Sequence, residues 1–182
     1  MKIIDLVLTD LDKPKKINKR TFYLSDWINI NNVDKKRLIS KPFKDYRDKI
    51  KSYKYLDRFR IVVEKKFTNY LHTYHNKNYS KILLKNLSSL WVGQYLQFVY
   101  IRWLITDQAI KQKDKINISD INIDKGINNY LDALDFMDLA FENDAFNYFH
   151  IKKIFKFRKK KFMKKIIFKK KKLYIKKTFV PR

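Results

Sequence analysis

Cysteine is absent from the 182 residues, glycine occurs twice and proline three times. Without cysteine, disulfides, thiolate nucleophiles and zinc sites of the CxxC type are excluded. Gly93 and Gly126 stand alone, so neither a P-loop nor a dinucleotide fingerprint is present; both need clustered glycines where backbone approaches phosphate. So few glycines and prolines also argue against an all-β meander with many tight turns. Long hydrophobic runs are missing too. The stretch Leu90 to Ile105 is interrupted by Gln94, Gln97 and Arg102, whereas a membrane span needs ~20 mostly apolar residues. It reads as a core helix, and no transmembrane segment is expected. Residues 1–12 hold three aspartates and only a short apolar run, which fits neither a secretory signal nor an acid-poor transit peptide.

What is abundant is positive charge. Lys+Arg number 43 against 18 Asp+Glu, for a formal net charge of +25. Such an imbalance speaks about partners and solubility, not about fold. The charge is segregated. Residues 151–182 carry 16 basic and no acidic residues, threaded with Phe, Ile, Met, Leu and Tyr, while residues 114–144 hold eight acidic residues and two lysines. Like charges in a block repel until a partner screens them. The acidic segment is too small to absorb the excess, so the expected partner is external and anionic, RNA or an acidic membrane. Aromatic residues make up 16% of the chain, enough for a real core and too many for wholesale disorder.

Periodicity predicts helices. Tyr46, Ile50, Tyr53, Leu56, Phe59, Val63, Phe67, Tyr70 and Tyr74 recur every three or four residues between Lys44 and His75, an apolar helical stripe. A second helix is expected over Ser80 to Lys113, with Leu83, Leu87, Leu90, Trp91, Tyr95, Phe98, Ile101 and Ile105 as its stripe. Asp114 to Ile123 reads as a polar linker, and a third helix is expected from Asp124 to Phe149. Thr21 to Ile30 reads as a short strand or extended arm. The expected fold is therefore mainly α: a small bundle of about three long helices, with domain boundaries at 1–43 (basic N-terminal extension), 44–150 (helical domain) and 151–182 (basic tail).

Candidate chemistry is sparse. His72 and His75 share a helix face, but a metal site wants further ligands, and no metal is expected. Asp132, Asp135, Asp138 and Glu142 form an acidic helix face, read as solvated or as docking a basic protein surface. No nucleophile, acid–base pair or cofactor signature is apparent, so no catalytic residue and no enzyme activity are expected, and neither cofactor nor small-molecule substrate is called for. The candidate RNA-binding residues are the basic positions of two segments. In the N-terminal segment these are Lys13, Lys15, Lys16, Lys19 and Arg20. In the C-terminal segment they are Lys152, Lys153, Lys156, Arg158, Lys159, Lys160, Lys161, Lys164, Lys165, Lys169, Lys170, Lys171, Lys172, Lys176 and Lys177.

The tail IKKIFKFRKKKFMKKIIFKKKKLYIKKTFVPR, the basic stretch KPKKINKR and the Cys-free, Gly-poor body resemble a mitochondrially encoded ribosomal protein of a very A+T-rich organellar genome. The excess of Lys over Arg fits such a genome better than phosphate recognition, for which Arg is the better bidentate ligand. The resemblance implies a structural constituent of a mitochondrial ribosome in the matrix, binding rRNA through basic extensions and touching neighbouring ribosomal proteins. The alternative is a peripheral subunit of an inner-membrane respiratory or ATP synthase complex, its basic tail lying on anionic lipid.

Overall fold

Isoleucines at every second position organise this chain. The computed structural model describes residues 3–12, 14, 17–24, 35–39, 41–111, 115–123, 133–159 and 166–175. Four strands, β1 (Ile3–Val7), β2 (Thr21–Tyr23), β3 (Lys115–Ile123) and β4 (Ile166–Ile175), form one sheet in the order β2-β1-β3-β4. Every pairing is parallel, with Asp5 opposite Thr21, Ile4 opposite Ile116 and Ile116 opposite Ile166. Parallel neighbours cannot be joined by a hairpin and need crossovers. Helices α1 (Tyr46–Tyr74) and α2 (Lys81–Lys111) lie between β2 and β3, and α3 (Ala133–Glu142) and α4 (Asp144–Lys159) between β3 and β4.

Alternate residues of a strand face opposite sides of its sheet. Ile4, Leu6, Ile116, Ile118 and Ile166 therefore share one face, where they pack with Ile105, Ala109, Phe136, Phe146, Ile151 and Phe155 of the helices. Ile121 and Ile123 belong to the same core, although Ile121 is three positions beyond Ile118, an odd step that alternation alone would turn to the other face. A register irregularity between Asp120 and Asn122 absorbs the odd residue, as a β-bulge does. The opposite face carries Asp5, Val7, Thr21, Tyr23, Asn117 and Ser119, with Val7 and Tyr23 covered by Leu38.

This α/β sheet overturns the expected three-helix bundle. The supposed linker is the strand β3, whose polar Asn117, Ser119 and Asp120 alternate with buried isoleucines. Strands from the basic N-terminal segment and from the tail join that same sheet. The third helix is two helices. Asn143 interrupts it, its side-chain oxygen accepting the Phe146 N–H at 2.9 Å and capping α4.

Helices α1 and α2 form where periodicity places them, yet their stripes are largely uncovered. Tyr46, Ile50, Phe59, Tyr70, Tyr74, Leu83, Leu87 and Leu90 are exposed. α1 packs chiefly against α2, and the seam buries Leu56, Glu64 and Thr68 against Leu84, Ser88 and Val92. Ser89 donates to Glu64 at 2.8 Å in that seam. Two helices alone cover one side of each other, so most of the apolar stripe stays outside. Asp45 caps α1 by accepting the Asp48 N–H at 2.8 Å, and Asp48 accepts from the Lys44 N–H at 3.1 Å, a reciprocal cap. The hairpin turns at Asn76 and Lys77, both with positive φ.

Candidate functional site

In an open parallel sheet, ligands bind outside the carboxyl ends of the strands where the strand order reverses. Here the chain leaves β1 towards β2 on one side and later returns to β3 on the other, which puts the switch point between β1 and β3. A crevice of about 150 Å³ lies beside it, on the sheet face away from the helices, lined by Asp5, Asp12, Asn18, Thr21, Asn117 and Lys169 among others.

Strand alternation builds its floor. Asp5 of β1 and Asn117 of β3 are register partners, and the Asn117 side-chain amide donates to the Asp5 carboxylate at 2.9 Å. The Lys169 Nζ of β4 lies 3.8 Å from the same carboxylate oxygen. Asn117 is buried, and its Oδ1 has no hydrogen-bond partner. A buried unpaired acceptor is costly and suits a ligand donor. The wall is the turn before β2, where Asn18 accepts from the Arg20 N–H at 2.7 Å and its own N–H donates to Thr21 Oγ1 at 3.2 Å.

The end of β1 is closed to anions. The buried Asp12 carboxylate accepts the Leu8 N–H at 3.0 Å and the Thr9 N–H at 2.9 Å. Those amides would face phosphate in a glycine-rich loop; here the chain supplies its own anion. Any charged ligand must then be held by side chains. Behind the sheet, the Tyr148 hydroxyl donates to the Ser119 carbonyl and accepts the Ile121 N–H at the bulge, and burial raises its pKa. Lys152 binds Asp120 and donates to the Ile121 carbonyl at 2.6 Å. Asp144 at the start of α4 has its pKa raised by burial and by Asp10.

Of the basic residues singled out from sequence, Lys13, Lys15, Lys16, Lys160, Lys161, Lys164, Lys165, Lys176 and Lys177 lie outside the described residues, as do the side chains of Lys171 and Lys172. Lys152 pairs with Asp120 and Arg158 with Asp107. Lys156 and Lys159 lie over the Phe168 ring, and Lys153 lies over Phe149. Lys19, Arg20, Lys169 and Lys170 are exposed, and only Lys169 joins the crevice. Asp138 and Glu142 are exposed on α3, Asp135 is half-buried there, and Asp132 lies outside the described residues. Among the described residues no group of three or more His, Asp or Glu is placed to hold a metal, and no helix is long and apolar enough to cross a membrane. His72 instead bonds the Tyr79 carbonyl through Nδ1 at 2.9 Å. Asp5 and Asn117, which floor the crevice, are not among the residues singled out from sequence. The signal that finds them is the alternation I-x-I-x around Asn117, which marks a strand with one polar face.

Compared with known proteins, the chain matches the model of one protein family, the LIC12162 family of transferases, over residues 4–179. No curated protein matches it and no solved structure matches it. The family match overturns the ribosomal resemblance, the structural rRNA-binding role with ribosomal partners and the membrane-complex alternative. It also overturns the expectations of no enzyme activity and no small-molecule substrate. The physical reason is that net charge reports on the surface, whereas a family match reports on the whole chain. Part of the tail's charge is paired within the chain, Lys152 with Asp120 and Arg158 with Asp107.

Proposed function

Because the chain belongs to the LIC12162 transferase family, we propose that group transfer takes place in the crevice beside β1 and β3. The Asp5–Asn117–Lys169 cluster carries this reading. It joins a carboxylate, a buried unpaired acceptor and a cation on the sheet face between β1 and β3, in a crevice of about 150 Å³. An acceptor hydroxyl gives its proton to the Asp5 carboxylate while its oxygen forms the new bond to the transferred group. The old bond breaks with its electron pair staying on the leaving group, and Lys169 offsets that negative charge. Asn117 orients Asp5 through its amide and receives a ligand hydrogen through Oδ1.

Lys169 is the one cation lining the crevice among the described residues, against Asp5 and Asp12, and the donor proposed here is phosphate-bearing, with its phosphate on Lys169. The test is a transfer assay on the full chain with a panel of phosphate-activated donors and hydroxyl acceptors, following release of the phosphorylated leaving group. Asp5→Asn is expected to lower turnover about 10²- to 10⁴-fold, and Lys169→Met to weaken it. Wild-type rates in both variants would overturn the assignment of this crevice.

A further inference from the structure

Tyr148 and Lys152 of α4 reach towards β3. His150, Lys153 and Phe157 lie about half a turn round the same helix and face a groove against α2. With Phe98, Arg102 and Trp103 of α2 they line a cavity of about 200 Å³. The helix layer separates this cavity from the crevice on the far face of the sheet.

Three observations describe what it suits. Its walls are aromatic: the His150 ring lies 5.2 Å from Phe98 and 6.3 Å from Tyr95, and Trp103 lies 5.8 Å from Phe157. Inside that ring of aromatics, the His150 Nε2 is buried and has no hydrogen-bond partner. The flanking charges are positive. Burial first, then Lys153 and Arg102, hold the imidazole pKa down to about 4, so at neutral pH the ring is neutral and offers one N–H. Arg102 is itself committed to Asn147 and to the Phe98 and Ala140 carbonyls. Lys153 is exposed at the rim and lies 4.2 Å from the Phe149 centroid.

A purely apolar ligand would leave the imidazole nitrogen unpaired. A cation would be repelled by Arg102 and Lys153. A bare inorganic anion would lose its hydration against aromatic walls with little in return. We propose that this groove is a second ligand site, for a small aromatic carboxylate, whose ring packs against Trp103 and Phe157 and whose carboxylate is taken by Lys153 and the His150 Nε2–H. The site does not depend on the transfer reaction assigned to the sheet crevice.

Benzoate titrated into the full chain tests this, read by NMR of the three histidine side chains, with His72 and His75 of the helical hairpin as internal references. Saturable shifts confined to His150 are expected, with its pKa rising from about 4 as the bound anion favours the protonated ring. Lys153→Met, a rim substitution outside the core, is expected to weaken binding about tenfold or more. Formate, which lacks the ring, and benzyl alcohol, which lacks the charge, are each expected to bind at least as much more weakly. The proposal is overturned by any of three results: no saturable His150 response up to about 50 mM benzoate, an equal response to formate, or unchanged affinity in the Lys153 variant.

Discussion

The Asn117 side-chain amide meets the Asp5 carboxylate at 2.9 Å, across 112 positions of sequence. This contact ties β1 to β3 on the face that carries the crevice and aims the carboxylate beside Lys169. It makes Asp5 the first position to alter. In the transfer reaction Asp5→Asn should lower kcat about 10²- to 10⁴-fold, the range for a lost general base, with little change in KM or circular dichroism. Lys169→Met should lower kcat and raise donor KM together, since the lysine both holds the donor and offsets the leaving group's charge. Steady-state kinetics separates the two.

Asp12 has a structural role at the neighbouring strand end. Replacing it by Ala leaves the Leu8 and Thr9 N–H groups without their acceptor, and an unsatisfied buried donor costs ~1–3 kcal/mol. Urea denaturation of Asp12→Ala should show that loss, with a lower midpoint and an unchanged m-value.

His150 makes stability depend on pH. Its folded pKa of about 4 lies below the unfolded value of 6.5, so between those values the unfolded chain binds the extra proton. Stability should therefore fall as pH drops from 6.5 towards 4, by roughly 2–3 kcal/mol in total from this group. In His150→Gln that component of the slope should vanish in denaturation curves recorded across the window.

Gly93 lies inside α2, and among the described residues a Cβ built there would meet only the Arg60 side chain, at 3.6 Å. That is ordinary contact, so the residue is not needed for close packing. Gly93→Ala should stabilise the protein by about 0.5–1 kcal/mol through helix propensity, raising Tm in a thermal melt.

Removing residues 160–182 distinguishes a strand from an appendage. The deletion takes away β4 and its buried Ile166 and leaves the inner strand β3 as an unpaired edge, which invites aggregation. The truncated chain should lose its cooperative thermal transition and sediment as aggregates. A merely appended tail would leave a folded, monomeric remainder.

Some of this was legible in the residues and some was not. The helix α1 was legible because 3.6-residue repetition over about 30 residues has few competing explanations, and α2 because a long apolar run with little glycine and no proline has few others. The sheet was hidden by its own asymmetry. A parallel strand covered on both faces reads as a continuous apolar run, whereas KINISDINI reads as polar because Asn117, Ser119 and Asp120 sit among its isoleucines. The bulge then shifts the alternation midway. In β4 the run of lysines from Lys169 to Lys172 masks a strand whose first residue, Ile166, is fully buried.

The amino-acid sequence already excluded disulfides, thiolate chemistry and glycine-rich phosphate loops, because those depend on residue types that are absent. It also defined two long helices and a large positive excess, because both are local or additive properties. The pairing of segments more than a hundred residues apart was decided only by tertiary structure, as were the switch point, the meeting of Asp5, Asn117 and Lys169, and the unpaired His150 nitrogen. The reason is that strand register and burial arise from contacts between distant segments. The same lysine is a solvated charge, a partner of Asp120 or a neighbour of Asp5 according to which strand or helix the fold places beside it.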